Sequence, residues 1–301
     1  MKLLNFSIRG GRESRLGLVH EGKILDVQQE FREVFSSEPP SWFHSTDSLI
    51  RGGEEALALL RRLALKTKGI HLLDPSEVVY YPAVLRPEKI FCMFLNYETH
   101  AKEASRGTPK DPFLFLKLPS NLIGHGWPIL LPKSSREVDY EGELAVILGR
   151  TGKYIRSTEA YDYVFGYSIM NDVSFRDRRA HSLSKELGPN LIHAKNLDGS
   201  APFGPWIVTR DEIPDPHGLS LKTWVNEELR QNDNTRNMIF KIPEILEYIS
   251  NGITLRPGDV ISTGTPSGVG LSTGKYLRKG DVVKVEIENV GSLINGTVEE
   301  T

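Results

Sequence analysis

Short apolar runs bounded by glycine and proline dominate the chain, so the pattern predicts strands more often than helices. Met1-Lys2-Leu3-Leu4-Asn5-Phe6 reads as a first strand. Leu16 to Val19 and Ile24 to Val27 flank His20-Glu21-Gly22-Lys23, a hairpin signal. Ala56, Leu57, Leu59, Leu60, Leu63 and Ala64 recur at helical spacing with Arg61, Arg62 and Lys66 between them, which predicts an amphipathic helix. Pro75, Pro82 and Pro87 then punctuate the chain, and a boundary is placed near residue 80. That divides it into a small N-terminal α+β domain, 1–80, and a larger domain, 81–301.

The larger part is β-rich. Strands are predicted at Lys89 to Phe94, Phe113 to Lys117, Glu143 to Leu148, Leu219 to Val225, Val260 to Thr263 and Asp281 to Ile287. Helical patterns are fewer: Tyr97 to Ser105, Thr158 to Tyr163 and Ile242 to Ile249. There is no internal repeat and no low-complexity tract. The expected class is α+β, dominated by β structure.

Glu141 and Glu143 stand directly before the run Leu144-Ala145-Val146-Ile147-Leu148, which Gly149 ends. In a strand, residues two apart share a face. Two carboxylates on one face at the mouth of a core strand would not both stay ionised without a cation. Asp172, at the end of the apolar run Tyr167 to Asn171, is the third ligand candidate. Three carboxylates without a histidine or cysteine cluster point to a hard cation, Mg²⁺ first, then Mn²⁺ or Ca²⁺, and away from zinc. On spacing alone, the same acids read equally well as strand-end charges paired with Arg or Lys.

His100 and Glu103 are three apart on a predicted helix and therefore neighbours on one face. A glutamate that accepts from one ring nitrogen raises the basicity of the other, which suits a proton carrier near neutral pH. A solvated charge pair is the commoner outcome of such spacing. Lys195 is a candidate cation for a developing oxyanion, though most lysines are surface groups. Gly264-Thr265-Pro266-Ser267-Gly268-Val269-Gly270 is a glycine-rich loop after a strand, with backbone amides suited to a carboxylate. Tyr276 follows Gly274-Lys275, so it is not a phosphate-binding P-loop. Gly270-Leu271-Ser272-Thr273-Gly274 has the G-x-S-x-G spacing but follows the glycine-rich loop and not an apolar strand, which argues against the strand-to-helix elbow of a serine hydrolase.

Composition narrows the class further. A formal net charge of -2 gives no reason to expect nucleic acid or an anionic membrane as partner. The single cysteine, Cys92, excludes a disulfide within the chain and suits a reducing compartment. The N-terminus lacks the long apolar stretch of a signal peptide, and no window reaches the length of a membrane span. A cytoplasmic location is expected.

Together these segments resemble the fumarylacetoacetate hydrolase family over roughly residues 85 to 295. The resemblance is carried by L-N-Y-x-x-H-A-x-E (Leu95 to Glu103), F-L-K (Phe115 to Lys117) and D-Y-E-G-E-L-A-V-I-L-G (Asp139 to Gly149). G-Y-S-I-M-N-D-V-S-x-R-D (Gly166 to Asp177), A-P-F-G-P-W (Ala201 to Trp206), N-E-E-L-R-Q (Asn226 to Gln231) and the glycine-rich loop follow in the same order. It implies a mixed β-sandwich roll, usually a homodimer. It also implies Mg²⁺ or Mn²⁺ on Glu141, Glu143 and Asp172, a His100–Glu103 dyad on a lid, and Lys195 at the substrate oxygens. Tyr97, Lys117, Arg179, Arg230, Gln231 and Thr265 are the implied substrate contacts. Trp42, Phe43 and Trp206 look exposed, which weakly supports the homodimer.

Two positions depart from the family pattern. Phe175 stands where many members have a small residue, and Arg179 where many have Gln. An arginine there favours an extra carboxylate on the substrate. The resulting expectation is a metal-dependent enzyme acting on a small 2-oxo or β-dicarbonyl acid through a stabilised enolate. C–C hydrolysis or keto–enol isomerisation is expected ahead of decarboxylation of oxaloacetate or dehydration of a 2-keto-3-deoxy sugar acid. An inactive scaffold is the non-enzyme rival.

Overall fold

The computed structural model describes residues 1–11, 13–179 and 188–301. The fold is mixed α+β and strand-rich, built on a twelve-stranded and a five-stranded sheet with a small two-stranded ladder. The strand Gly142–Leu148 explains the architecture. All seven of its residues are buried, because the strand is covered on both faces. Leu144, Val146 and Leu148 pack into one core with Leu221, Val283, Val285 and Ile287 of the five-stranded sheet. Ala145 and Ile147 face the other way, with Ile90, Cys92 and Phe203. A two-sided strand reads as an unbroken apolar run.

Along its main path the large sheet runs Leu72–Leu73, Lys23–Asp26, Arg15–His20, Lys2–Ile8, Ala201–Thr209, Val164–Asn171, Gly142–Leu148, Val260–Ser262, Ile90–Phe94 and Phe113–Lys117. The first strand pairs antiparallel with Ala201–Thr209, matching Lys2 with Val208 and Leu3 with Ile207. The sheet is therefore continuous across residue 80. The predicted hairpin forms as Arg15–His20 and Lys23–Asp26. The amphipathic helix forms the second part of a helical span, Thr46–Lys66, that breaks at Gly53 (φ +61°), and it buries Leu57, Leu60 and Leu63. The smaller sheet orders Glu228–Asn234, Ser220–Val225, Val282–Ile287, Gly291–Glu299 and Ile129–Leu131.

Some readings change. Thr158 to Tyr163 lies in a 3₁₀ segment, Ser157–Tyr163. Ala201–Thr209 is an interior strand despite Pro202 and Pro205, and its pairing with Val164–Asn171 slips register between Tyr167 and Ile169. Proline removes a ladder donor, so it is accommodated where pairing is irregular. The aromatics expected outside are not exposed. Phe43 is fully buried, edge-on to Phe31 at 5.6 Å. Trp206 is half-buried and donates to the Val290 carbonyl at 2.6 Å. Exposed apolar side chains occur instead on the terminal strand of the large sheet, at Phe113 and Leu116, and at Leu118 just beyond it.

Candidate active site and metal centre

Strand register assembles the three acids. Gly142 pairs with Asn171, so the residues one step outward, Glu141 and Asp172, stand opposite each other. The Asp172 N–H donates to the Glu141 carbonyl at 2.9 Å. On the other side, Ala145 pairs with Ser262, which brings Ser262 and Gly264 to Glu143. Glu143 Oε2 accepts from Ser262 Oγ at 2.5 Å and from the Gly264 N–H at 2.9 Å. Glu141 and Glu143 share the strand parity of Ala145 and Ile147, as period two requires.

Ligand-type oxygens of Glu141, Glu143 and Asp172 all lie within 4.8 Å of one another, and all three residues are buried. Cations address only part of this charge. Lys195 Nζ lies 2.6 Å from both Glu141 Oε2 and Asp172 Oδ2. Lys117 Nζ is 2.5 Å from Asp172 Oδ1 and also donates to the carbonyls of Val173 and Lys195. Arg176 bridges Asp139 at 2.7 Å and Glu141 at 2.5 Å. Burial opposes the charge on Glu141, but Lys195 and Arg176 outweigh it and hold its carboxyl below the usual range. Glu143 has no cationic partner among the described residues. Burial, then the charges of Asp172 and Glu141, push its carboxyl well above the usual range. An all-oxygen cluster with one uncompensated buried carboxylate fits a hard divalent cation.

The dyad borders this cluster. Helix Glu98–Glu103 carries His100, and His100 Nδ1 lies 3.1 Å from Glu103 Oε2. Glu103 Oε1 accepts from the Gly268 N–H at 2.9 Å, and Thr99 donates to Asp233 at 2.6 Å. Burial opposes ionisation of Glu103, but the bonds from His100 and Gly268 hold its pKa below the usual range. The glycine-rich loop can approach this closely because of its glycines. Gly264 and Gly268 take φ of +92° and +100°, and a Cβ on them would lie 2.8 Å from Asn96 Cβ and 1.9 Å from the Arg230 carbonyl oxygen.

A cavity of about 280 Å³ opens here, lined among others by Phe94, His100, Glu103, Arg106, Arg176 and Arg179. Neither this cavity nor a larger groove of about 490 Å³, between Asp111 and Glu247, is lined by the three clustered acids, and the smaller one meets them through Arg176, which bonds Glu141 at 2.5 Å.

The expected substrate contacts divide into groups. Arg179 lines the cavity. Lys117 is buried within the acid cluster, with its three ammonium hydrogens matched by three acceptors. The Tyr97 hydroxyl is buried without a hydrogen-bond partner among the described residues, and burial, then Glu143, raises its pKa well above the ordinary value. Gln231, Thr265 and Arg230 do not line the cavity. Gln231 accepts from the Gly142 N–H and donates to Thr265 and Pro266, while Thr265 donates to the Gly142 carbonyl. These two side chains brace the start of the strand that carries Glu143. Arg230 pairs with Glu228 at 3.0 Å and lies 6.0 Å from the Tyr140 ring.

Three residues with direct parts in the site carried no individual expectation: Arg176, Asp139 and Arg106. The first two stood inside matched motifs. Arg106 belongs to none.

The pattern described as Fumarylacetoacetate (FAA) hydrolase C-terminal matches residues 89–298. The chain belongs to the fumarylacetoacetate hydrolase family. It is 42% identical over 248 residues to the mitochondrial oxaloacetate tautomerase FAHD2B of Bos taurus, covering 82% of this chain and 77% of that one. It is 38% identical over 293 residues to the oxaloacetate tautomerase YisK of Bacillus subtilis, covering 92% and 94%. Among solved structures it is similar to a maleylpyruvate hydrolase from Sphingobium sp. SYK-6 in complex with manganese(II) and pyruvate. That match has TM-score 0.80, 32% identity and full coverage of both chains. The chain is thus an enzyme of the fumarylacetoacetate hydrolase family, and no helix among its described residues is long and apolar enough to cross a membrane.

Proposed function

We propose that this enzyme interconverts the enol and keto forms of a small 2-oxo dicarboxylic acid, oxaloacetate first, with a divalent cation held by Glu141, Glu143 and Asp172. The observation that carries the reading is the buried acid cluster with an uncompensated Glu143 beside the His100–Glu103 pair. The names of the Bos taurus and Bacillus subtilis relatives favour oxaloacetate. Mg²⁺ is preferred over Mn²⁺ for an all-oxygen set, and Mn²⁺ is supported by the manganese(II) in the Sphingobium hydrolase structure.

Tautomerisation moves one proton from the enol oxygen on C2 to C3, the C2=C3 double bond becomes a C2=O double bond, and no σ bond between heavy atoms breaks. Held by Glu141, Glu143 and Asp172, the cation would supply Lewis acidity for the 2-oxo acid end of the substrate. His100 lines the cavity, and its Nδ1 is taken up by Glu103, which leaves Nε2 to accept and return the proton. Lys195 offers positive charge to the oxygen on which negative charge develops. The loop amide of Gly268 holds Glu103, and so the dyad, in place.

A second reading is C–C hydrolysis of an acylpyruvate, favoured by the maleylpyruvate hydrolase likeness. There the same histidine would activate water. The test is to strip the protein with EDTA, restore Mg²⁺ or Mn²⁺, and follow loss of oxaloacetate enol absorbance. Acylpyruvates, hydroxymuconate-type dienoates and 3-deoxy sugar 2-keto acids are screened in parallel, with products read by NMR. Metal-dependent loss of enol with no pyruvate formed supports tautomerisation. Turnover of an acylpyruvate alone moves the assignment to hydrolysis, and full activity after chelation removes both. We place the enzyme in the cytoplasm as a homodimer. The single, buried Cys92 suits a reducing compartment.

A further inference from the structure

Arg106 and Arg179 come from distant parts of the chain and meet at one aromatic ring. Each guanidinium carbon lies 5.9 Å from the centroid of Phe94. Both line the roughly 280 Å³ cavity that His100 and Glu103 border. The third arginine there, Arg176, is neutralised by Asp139 and Glu141. Neither Arg106 nor Arg179 has an acidic partner among the described residues.

We propose that Arg106 and Arg179 form a two-arginine clamp, seated on Phe94, that binds the carboxylate of the substrate distal to its 2-oxo acid end and so selects diacids over monoacids.

Three physical points support the clamp. Two cations sharing one ring repel each other, and an anion between them relieves that repulsion. Arginine presents a planar fork matched to a carboxylate, and stacking on an aromatic face fixes its orientation. The pair also stands at the right end of the site. Arg179 lines the cavity together with Arg176, whose guanidinium lies 2.5 Å from Glu141, so it is near the acid cluster without belonging to it. Burial, then Arg176, lowers its pKa, Arg106 adds to this, and Glu141 opposes it. A short diacid can thus have one end at the cluster and the other at the clamp. A glutamine in place of Arg179 would offer hydrogen bonds without charge and would not discriminate in this way.

The clamp takes its substrate from the tautomerase reading, and the experiment separates the two. Oxaloacetate and its 4-methyl ester share the 2-oxo acid end and differ in charge at the other. Binding of each to the Mn²⁺-loaded protein is measured by calorimetry and tautomerisation by enol absorbance, for wild type, R106Q, R179Q and R179K. Wild type is expected to bind the diacid about tenfold or more tightly than the ester. Each Gln variant should bring that ratio to roughly threefold or less, with R179K in between. A wild-type ratio near one overturns the clamp, as does a ratio unchanged in both Gln variants, or binding of neither ligand. Charge-selective binding without tautomerisation would keep the clamp and remove the tautomerase reading. If R179Q does not fold, R106Q decides alone, because Arg106 is exposed.

Discussion

Asp172 stands directly across from Glu141, its N–H 2.9 Å from the Glu141 carbonyl oxygen. Two residues 31 positions apart in the chain thus enter one cluster because an antiparallel ladder ends there. A site built on strand ends is stiff, so its ligands should be separately indispensable. Glu143→Gln and Asp172→Asn are each expected to weaken Mn²⁺ binding about tenfold or more and to lower turnover about 10²-fold or more. Calorimetry of metal binding and enol-loss assays at saturating Mg²⁺ measure the two effects. Wild-type metal affinity in both variants would remove the cluster's assignment as a metal site.

His100 and Glu103 are expected to act as a unit. Glu103 touches both the imidazole and the Gly268 amide, so losing it disturbs the ring and the glycine-rich loop together. His100→Ala and Glu103→Ala should each lower kcat by roughly 10²-fold or more, and the double variant should cost little more than the worse single. Metal binding should persist. Segment 97–112 should also gain hydrogen-exchange protection when metal and a 2-oxo acid are added together. Multiplicative losses in the double variant would show that the residues act independently.

What could be read ahead of the structure follows from burial. Gly142–Leu148 was legible because both its faces are covered, and the Glu141–Glu143 parity followed from period two. The strand Glu228–Asn234 was not legible. It is an edge strand of polar residues, and its register comes from Ser220–Val225, which alternates cleanly. Ala201–Thr209 was masked by its prolines. Among site residues, the acids and the dyad were reachable through ordered motifs. Arg106 was not, because its place over Phe94 depends on how the chain folds back after helix Glu98–Glu103, and no local pattern encodes that.

His217 gives a pH prediction remote from the acid cluster. Its Nε2 accepts from the Ile242 N–H at 3.1 Å, at the start of helix Ile242–Ser250, and Nδ1 lies 3.3 Å from the Tyr161 hydroxyl. Lys241, Asp215 and Glu244 supply the neighbouring charges. Burial, then Lys241, lowers the histidine pKa, with Asp215 and Glu244 opposing. The unfolded chain therefore takes up this proton at higher pH than the folded one. The stability from this group is full above the unfolded pKa of about 6.5 and is lost as pH falls through the lower folded value. His217→Phe removes the acceptor and should cost about 1–2 kcal/mol at pH 7.5. It should also flatten the slope of stability against pH below about 6.5. Urea unfolding from pH 5 to 8 reads both, and an unchanged slope in the variant would refute the assignment.

The last prediction concerns assembly. Phe113–Lys117 ends the large sheet, with Phe113 and Leu116 each 51% exposed and Leu118 beyond them at 46%. An apolar strand at a sheet edge invites pairing or aggregation unless something covers it. A second copy of the chain is the occupant expected from the homodimer proposal. Light scattering at micromolar concentration should then give twice the chain mass. Leu116→Lys puts a charge at an exposed position of this strand while leaving the buried Phe115 and Lys117 in place. It should raise the dimer dissociation constant by about tenfold or more. A wild-type monomer would overturn the dimer, whereas an unperturbed dimer in Leu116→Lys would move the interface to another face.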